Sequence, residues 1–263
     1  MKLERSEDGK ILKIDLSRPP VNALSSLDLY ELSTVLQRIN SAPSPFNHET
    51  GDEGDTETRV VILYASGKGF NAGGDLKEIE SLENNVGIYK QCTESARACA
   101  SIANCAVPVI AAVEGYCIGL GIGIVGSCDV CIAEENAVFE FKEIDRGAIG
   151  MISQSYRLMS PQMVRYSMLS GGSISAKQLY QNGDIPVIVS TGESALERAE
   201  AVARVISTKD RDLLIDTKKA LNGLEKNFDP ENDMRLEQAF TFSNNIKGKS
   251  SSLRRTFLDK SKL

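Results

Sequence analysis

The chain has 263 residues, of which 41% are hydrophobic and 25% are charged, as in an ordinary folded protein. Its formal net charge of −6 argues against nucleic acid or an anionic membrane surface as the main partner. The sequence has no apolar run long enough to span a membrane, and it begins with residues of mixed charge, unlike a secretory signal. We therefore expect a cytoplasmic protein that binds neither nucleic acid nor a membrane.

The six cysteines and the single histidine bear on metal binding. Cys128 and Cys131 form a lone C-x-x-C pair, and no second pair completes a zinc site. Buried, reduced thiols are the simpler interpretation in a chain without a secretory signal. We expect no metal.

The hydrophobic pattern predicts an α/β fold in which strands come first and helices last. In chain order it predicts a strand over 11–16, a helix over 27–40, a strand over 59–64, a helix over 88–104, and strands over 107–113, 129–133 and 137–139. Helical patterns then dominate from about residue 160 to residue 242, including 193–206 and 213–224. We predict a core domain over 1–190 and a helical region over 191–263 for packing and oligomerisation.

Residues 41–58 differ in composition from the rest of the chain. They include two prolines, two glycines and five acidic residues, and they contain the single histidine, His48. Such a segment can bury little apolar area. We predict an exposed acidic loop with a solvated histidine.

Two glycine-rich segments, 67–75 and 115–123, each follow a predicted buried strand. Backbone N–H groups in such loops and at helix starts bind negative charge. Two of them that converge on one point stabilise an oxygen that becomes negative in a transition state. The pattern therefore predicts an oxyanion hole, and with it enolate or oxyanion chemistry.

A competing interpretation rests on Gly121, Gly123 and Gly126, which match the G-x-G-x-x-G pattern of dinucleotide-binding proteins. The segment follows a late strand instead of opening a βαβ unit, and small residues also suit plain helix packing. An NAD-binding oxidoreductase is therefore the remote alternative.

Four blocks in the same order resemble the crotonase superfamily, also called the enoyl-CoA hydratase/isomerase family. They are Arg-Pro-Pro-Val-Asn-Ala-Leu at 18–24, Gly-Phe-Asn-Ala-Gly-Gly-Asp at 69–75, Pro-Val-Ile-Ala-Ala-Val-Glu-Gly-Tyr at 108–116 and Ile-Ser-Ala-Lys-Gln-Leu at 174–179. The resemblance implies a spiral of ββα turns with C-terminal helices, assembled as a homotrimer or a dimer of trimers. It also implies an acyl-CoA thioester substrate, with coenzyme A as part of the substrate and no separate cofactor.

The resemblance assigns roles to individual residues. The thioester oxygen would accept hydrogen bonds from the backbone N–H groups of Ala72 and Leu120, although the family most often has glycine at the second position. Glu143 would transfer protons. The acyl-CoA pocket would be shaped by residues in and around the first loop, with a lysine available for a phosphate: Lys68, Phe70, Gly73, Gly74, Asp75 and Leu76.

Hydratases of this family use two glutamates, and the position of the first is Gly123 here. A single carboxylate can still move a proton between two carbons, which favours isomerisation over hydration. If the segment after Glu143 is extended, Asp145 points to the same side and supplies a second acid. The alternative for Asp145 is a surface ion pair with Lys142 or Arg146.

A closer resemblance is to a crotonase subgroup of actinobacterial steroid catabolism that hydrolyses a carbon–carbon bond in a ring-bearing CoA thioester. It rests on Gly-Ile-Gly-Ile-Val-Gly at 121–126, Glu-Ile-Asp-Arg-Gly-Ala at 143–148 and Glu-Gln-Ala-Phe-Thr-Phe at 237–242. In such an enzyme Glu143 or Asp145 would activate water. An isomerase and a non-catalytic acyl-CoA-binding subunit remain the alternatives.

Overall fold

Two β-sheets organise the computed structural model, which describes residues 1–40, 54–82, 85–225 and 229–260. The strands are β1 Lys2–Arg5, β2 Ile11–Asp15, β3 Val60–Tyr64, β4 Gly69–Asn71, β5 Val109–Val113, β6 Tyr116–Ile118, β7 Val130–Glu134, β8 Val138–Glu140, β9 Ser173–Ser175 and β10 Val187–Val189. The larger sheet has the order β1-β2-β3-β5-β7-β10 and is parallel except at β1. The smaller sheet has the order β4-β6-β8-β9, in which only β9 is antiparallel.

The helices follow the strands in a repeating pattern. They are α1 Ser26–Asn40, α2 Leu76–Ser81, α3 Val86–Ala103, α4 Leu120–Ser127, α5 Ile152–Tyr156, α6 Pro161–Ser170, α7 Ala176–Gln181, α8 Ala195–Ser207, α9 Arg211–Leu224, α10 Pro230–Ile246 and α11 Lys249–Lys260. Three times a strand of the larger sheet leads into a strand of the smaller sheet and then a helix: β3-β4-α2, β5-β6-α4 and β7-β8-α5. No helix of the described residues is long and apolar enough to cross a membrane.

The central strands β3 and β5 are buried on both faces, as expected for parallel strands covered by helices. Side chains alternate between two hydrophobic clusters because the strand period is two. Val61 and Leu63 pack in the cluster with α1 and α3, whereas Ile62 packs against α8. Ala199 and Ala203 of α8 lie in this second cluster, and small side chains let the helix lie close to the sheet.

Most predicted elements of the first half of the chain are confirmed with shifted ends, but the order of strands before helices is wrong. The short strands β9 and β10 interrupt the helical part, and β10 forms the edge of the larger sheet beside β7. Because α8 packs on that same sheet, helices beyond residue 190 contribute to the core. The division between 1–190 and 191–263 stays a prediction.

Residues 41–53 of the predicted acidic loop 41–58, which include His48, lie outside the described residues. Its last part is attached to β1. Asp55 accepts a hydrogen bond from Arg5 at 2.6 Å and another from the Thr58 hydroxyl at 2.6 Å. Thr56 and Glu57 are exposed as predicted, whereas Thr58 is fully buried, so the prediction of exposure is wrong at Thr58.

The cysteine pair behaves as buried thiols. Cys128 and Cys131 are free and buried, and loss of hydration raises the pKa of the Cys131 thiol to about 12. A thiol with so high a pKa stays protonated and unreactive at neutral pH.

A buried ion pair fixes α9 to the sheet. Lys218, only 4% exposed, extends its ammonium group to the Asp129 carboxylate at 2.7 Å. The same ammonium donates to the carbonyl oxygens of Ile102 and Val107 at 3.4 and 3.2 Å. The Asp129 carboxylate in turn accepts the backbone N–H of Val109 at 2.7 Å. Both charges are therefore compensated by short hydrogen bonds.

We expect Lys218→Met to destabilise the protein by about 3–5 kcal/mol, because it leaves the Asp129 carboxylate without its cation. Lys219→Met is the matched control, since Lys219 is the exposed neighbour on the same helix. Urea unfolding followed by circular dichroism measures both. Equal midpoints for the two variants would contradict the role of this ion pair.

Candidate active site

Parallel pairing in the smaller sheet brings three distant segments to one edge. Asn71 of β4 is paired with Cys117 of β6, and Ile118 of β6 is paired with Glu140 of β8. Because these strands are parallel, their carboxyl ends meet at the same edge of the sheet. The chain leaves this edge at Ala72 after β4 and enters α4 after β6, so the two predicted loops converge.

Close contacts show how tightly the two loops meet. A Cβ added to Gly121 would lie 3.0 Å from the Cβ of Asn71, and one added to Gly73 would lie 3.7 Å from the carbonyl oxygen of Ile118. These contacts lie directly beside Ala72 in one loop and Leu120 in the other. Glycine at 121 is required by this close approach.

The backbone N–H groups of Ala72 and Leu120 are available to a ligand, since neither donates to another described residue. Leu120 is the first residue of α4, where an N–H has no partner within the helix. Its side chain is 5% exposed and packs in the main hydrophobic cluster. A leucine at this position therefore leaves its N–H free for an oxyanion.

The N-terminal turn holds the first loop in place. Leu24 donates its N–H to the carbonyl of Gly73 at 3.0 Å and accepts the N–H of Asp75 at 3.0 Å. Asn71 donates its side-chain amide to the carbonyl of Asn22 at 2.5 Å. The residues on either side of Ala72 thus form hydrogen bonds within the protein, whereas the Ala72 N–H donates to no described residue.

Glu143 lies against the start of α4. A Cβ on Gly119 would come within 2.5 Å of the Glu143 Oε1, and Gly119 has a φ of +56°. The positive φ favours glycine at this position, and the absence of a Cβ leaves room for the Glu143 carboxyl group. Loss of hydration raises the pKa of Glu143 to about 7, and the charge of Glu237 acts in the same direction. A carboxyl group with a pKa near 7 is suited to both accept and donate protons.

The space beside Gly123, where the resemblance places the first family glutamate, is filled by a side chain from elsewhere. A Cβ on Gly123 would lie 2.1 Å from the Met151 Sδ. A Cβ on Gly126 would lie 2.2 Å from the carbonyl oxygen of Gln154. Both glycines lie inside α4 and allow close packing. The dinucleotide-binding interpretation is therefore wrong, since these glycines do not form a phosphate loop.

A second buried carboxyl group reaches this region from α10. Glu237, 6% exposed, accepts the backbone N–H groups of Met151 and Ile152, each at 2.8 Å. Burial raises its pKa to about 7 despite these hydrogen bonds. Thr241, one turn further along α10, exchanges hydrogen bonds with the N–H and C=O of Ile149 at 3.0 and 2.9 Å. Helix α10 thereby fixes the segment that presents Met151.

One cavity of about 860 Å³ is lined by residues from each of these segments, including Ala72, Leu120, Glu143, Met151 and Glu237. Seven of the predicted site residues line it: Ala72, Gly73, Gly74, Asp75, Leu76, Leu120 and Glu143. Arg18 also lines the cavity and forms a 2.8 Å ion pair with Asp75, whose carboxylate caps α2. A cavity of this size can hold a drug-sized acyl group.

The sequence profile described as enoyl-CoA hydratase/isomerase matches residues 6–262. The chain belongs to this family. Two similar relatives share the name (7aS)-7a-methyl-1,5-dioxo-2,3,5,6,7,7a-hexahydro-1H-indene-carboxyl-CoA hydrolase. The relative from Rhodococcus jostii is 34% identical over 100% of this chain and 96% of its own length. The relative from Mycobacterium tuberculosis is 34% identical over 95% of this chain and 96% of its own length. The solved structure of an enoyl-CoA hydratase/isomerase from Mycobacterium paratuberculosis has a TM-score of 0.81 at 21% identity, over 97% of each chain.

Membership of the enoyl-CoA hydratase/isomerase family confirms the predicted α/β crotonase-like fold and makes this chain an enzyme that acts on acyl-CoA. The ββα pattern and the C-terminal helices agree with the expected spiral. The family profile spans both glycine loops, Glu143 and the C-terminal helices, so the cavity is built by the family's own framework.

Three predicted site residues do not line the cavity. Phe70 is fully buried in the main hydrophobic cluster, and Lys68 is exposed on the surface. Asp145 is exposed and faces Gly171, where a Cβ would lie 2.8 Å from its Oδ2. The segment Ile144–Arg146 is a 3₁₀ helix and not an extended chain, so the expected alternation that placed Asp145 beside Glu143 is wrong.

Sequence reasoning missed several cavity residues: Arg18, Arg146, Met151, Glu237 and Arg254. Glu237 opens the block at 237–242 that resembles the ring-opening subgroup, and this was the available signal for it. Nothing in the local pattern points to Arg254, which belongs to an ordinary charged stretch of a surface-like helix.

We expect Gly123→Ala to destabilise the protein by about 1–3 kcal/mol, because the new Cβ displaces the Met151 thioether from a packed site. The cost should disappear in a Met151→Ala background. Gly223→Ala is the matched control: nothing lies within 4 Å of its added Cβ, and the helix should gain about 0.5–1 kcal/mol. Guanidinium unfolding of the four variants measures this, and a cost unchanged by Met151→Ala would contradict the contact.

The raised pKa of Glu143 predicts a pH-dependent stability. Between its usual value of 4.5 and about 7, the folded protein keeps a proton that the unfolded chain releases. The stabilisation of the folded protein by protonated Glu143 is therefore present at acid pH, and it is lost as the pH rises through 7. We expect Glu143→Gln to melt higher than wild type at pH 8 but not at pH 4.5, by roughly 2–4 °C per kcal/mol. Parallel melting curves across this range would contradict burial of the carboxyl group.

Proposed function

We propose that this enzyme hydrolyses a carbon–carbon bond in a cyclic acyl-CoA whose ring ketone lies β to the thioester. The observation that carries the proposal is the Met151 thioether in the space beside Gly123, the position that resembles the first family glutamate, while Glu143 lines the same cavity as Ala72 and Leu120. The family's hydratases use two glutamates to add water to a double bond. Ring opening needs one general base, together with groups that stabilise negative charge on the ketone oxygen and on the enolate oxygen. The names of the two hydrolases described above support this choice.

The proposed reaction consumes one water. Glu143 takes a proton from water, and the hydroxide adds to the carbon of the ring ketone. The bond between this carbon and the thioester α-carbon then breaks, and its electron pair forms the enolate of the thioester. The N–H groups of Ala72 and Leu120 stabilise the enolate oxygen. Glu143 returns its proton to the α-carbon. The former ketone carbon becomes a carboxylic acid, which releases its remaining proton to solvent and leaves a carboxylate.

The electrostatics of the site support a base that acts near neutral pH. The pKa of Glu143 is raised to about 7 by burial, with a smaller contribution from Glu237 in the same direction. The carboxylate form is then more basic than an exposed glutamate, yet still populated at pH 7. Glu237 itself is held by two backbone N–H groups, so it serves to position the segment with Met151.

Double-bond isomerisation is the second candidate, because a single carboxylate can also carry a proton between two carbons of an enoyl thioester. A non-catalytic acyl-CoA-binding subunit would show binding without turnover of any thioester. The trimeric or hexameric assembly implied by the family belongs to the same proposal, and exposed apolar side chains on the last helices support it: Leu213, Leu221, Leu224, Leu236, Phe240 and Ile246.

The test is incubation in ¹⁸O water with bicyclic β-keto acyl-CoA thioesters and with straight-chain 2- and 3-enoyl-CoA, followed by mass spectrometry. We expect a product that has gained one water and carries one ¹⁸O in a new carboxylate. Double-bond migration without label would replace the hydrolase by the isomerase, and binding without any turnover would favour the non-catalytic subunit.

Two variants connect the reaction to the site. Glu143→Gln should abolish turnover while CoA-ester binding persists. Ala72→Pro should reduce turnover about 100-fold or more, because it removes one oxyanion donor. Ala72→Gly keeps the N–H and is the matched control. Equal activity of the proline and glycine variants would refute the assignment of Ala72.

A further inference from the structure

A buried arginine on the last helix lines the cavity. Arg254 is 4% exposed, and its Nε lies 2.6 Å from the Glu80 carboxylate. Its Nη2 donates to the side-chain oxygen of Asn245 at 2.6 Å. Its Nη1, which is also buried, has no acceptor among the described residues. A buried donor without an acceptor is costly, so an acceptor from a ligand is expected there.

A second guanidinium in the same cavity has the same property. Arg146 stacks on the ring of Phe257, with its central carbon 4.4 Å from the ring centroid. Its buried Nε has no acceptor among the described residues. Burial lowers the pKa of Arg146, and the charges of Glu143, Asp145 and Glu140 act in the opposite direction.

The two guanidinium groups belong to one wall. Phe257 follows Arg254 by three residues on α11, so the two side chains share a face of that helix. The Phe257 ring also covers the Arg146 guanidinium, so Arg146 packs against the helix that carries Arg254. All three residues line the cavity that contains Glu143.

The charges of this wall favour an anion. Glu80 is the only carboxylate paired with Arg254 among the described residues, and it is shared with the exposed Arg255 at 3.2 Å. One negative charge thus serves Arg254 and Arg255, and Arg146 adds a third positive charge. Burial raises the pKa of the carboxyl groups of Glu143 and Glu237, which line the same cavity, to about 7 each. A planar guanidinium with free N–H donors matches a carboxylate better than a neutral carbonyl group.

We propose that Arg146 and Arg254 form a subsite for a carboxylate on the acyl group. This inference rests on the proposed function, since ring opening converts a ring ketone into a carboxylate inside the same cavity. The subsite binds that carboxylate and, before it forms, attracts the negative charge that develops on the ketone oxygen. Arg146 and Arg254 are then specificity-determining residues for oxygenated acyl groups.

The experiment measures binding, so it does not depend on turnover. Isothermal titration compares two CoA thioethers of equal length that end in a carboxylate or in the matching carboxamide. We expect wild type to prefer the carboxylate about 10-fold or more, as for a charged hydrogen bond, and Arg254→Gln and Arg146→Gln each to remove most of this preference. Arg255→Gln is the matched control: this arginine also contacts Glu80 but does not line the cavity, and it should keep the preference.

Several outcomes would overturn the subsite. Wild type with equal affinity for both thioethers refutes it, and so does an Arg254→Gln variant that loses affinity for both equally, since that loss is structural. If Arg254→Gln does not fold, Arg254→Lys retains the charge next to Glu80 without the planar donors, and it should still lose most of the preference. A protein that prefers the carboxylate yet incorporates no ¹⁸O into bicyclic thioesters would refute the hydrolase and retain the subsite.

Discussion

The parallel pairing of three short strands is the constraint on which the active site depends. The strands β4, β6 and β8 are separated by long stretches of sequence, and only their common register places their carboxyl ends at one edge. The first two ends supply the N–H groups of Ala72 and Leu120, and the third leads to Glu143. A slip of one residue in any strand would turn the wrong group toward the cavity.

Glycines near the site leave space for neighbouring side chains, in addition to the backbone conformations that they allow. Gly119 leaves room for the Glu143 carboxyl group, and Gly123 leaves room for the Met151 thioether. Helix α10 holds the Met151 backbone through Glu237, so a distant helix supports the packing of the Met151 thioether beside Gly123.

Charged groups in this cavity are less completely paired than the structural ion pair of Lys218 and Asp129. The structural pair of Lys218 and Asp129 is fully compensated by hydrogen bonds, as a buried ion pair must be to be tolerated. In the cavity, by contrast, Glu143 has a raised pKa, and Arg146 and Arg254 retain donors without acceptors. Such incomplete compensation is typical of functional sites, where a ligand supplies the missing partners.

The sequence by itself determined the α/β class, most early elements and the two glycine segments, because strand, helix and turn preferences act over short distances. Glu143 was assigned by the family resemblance, and its role stays a prediction. It failed at Asp145, since a tight helical turn replaced the expected extended segment. Only the tertiary structure decided that Met151 fills the space beside Gly123 and that Arg254 lines the cavity. These groups come from segments far along the chain, and packing of the last helices brings them together without any local sequence pattern.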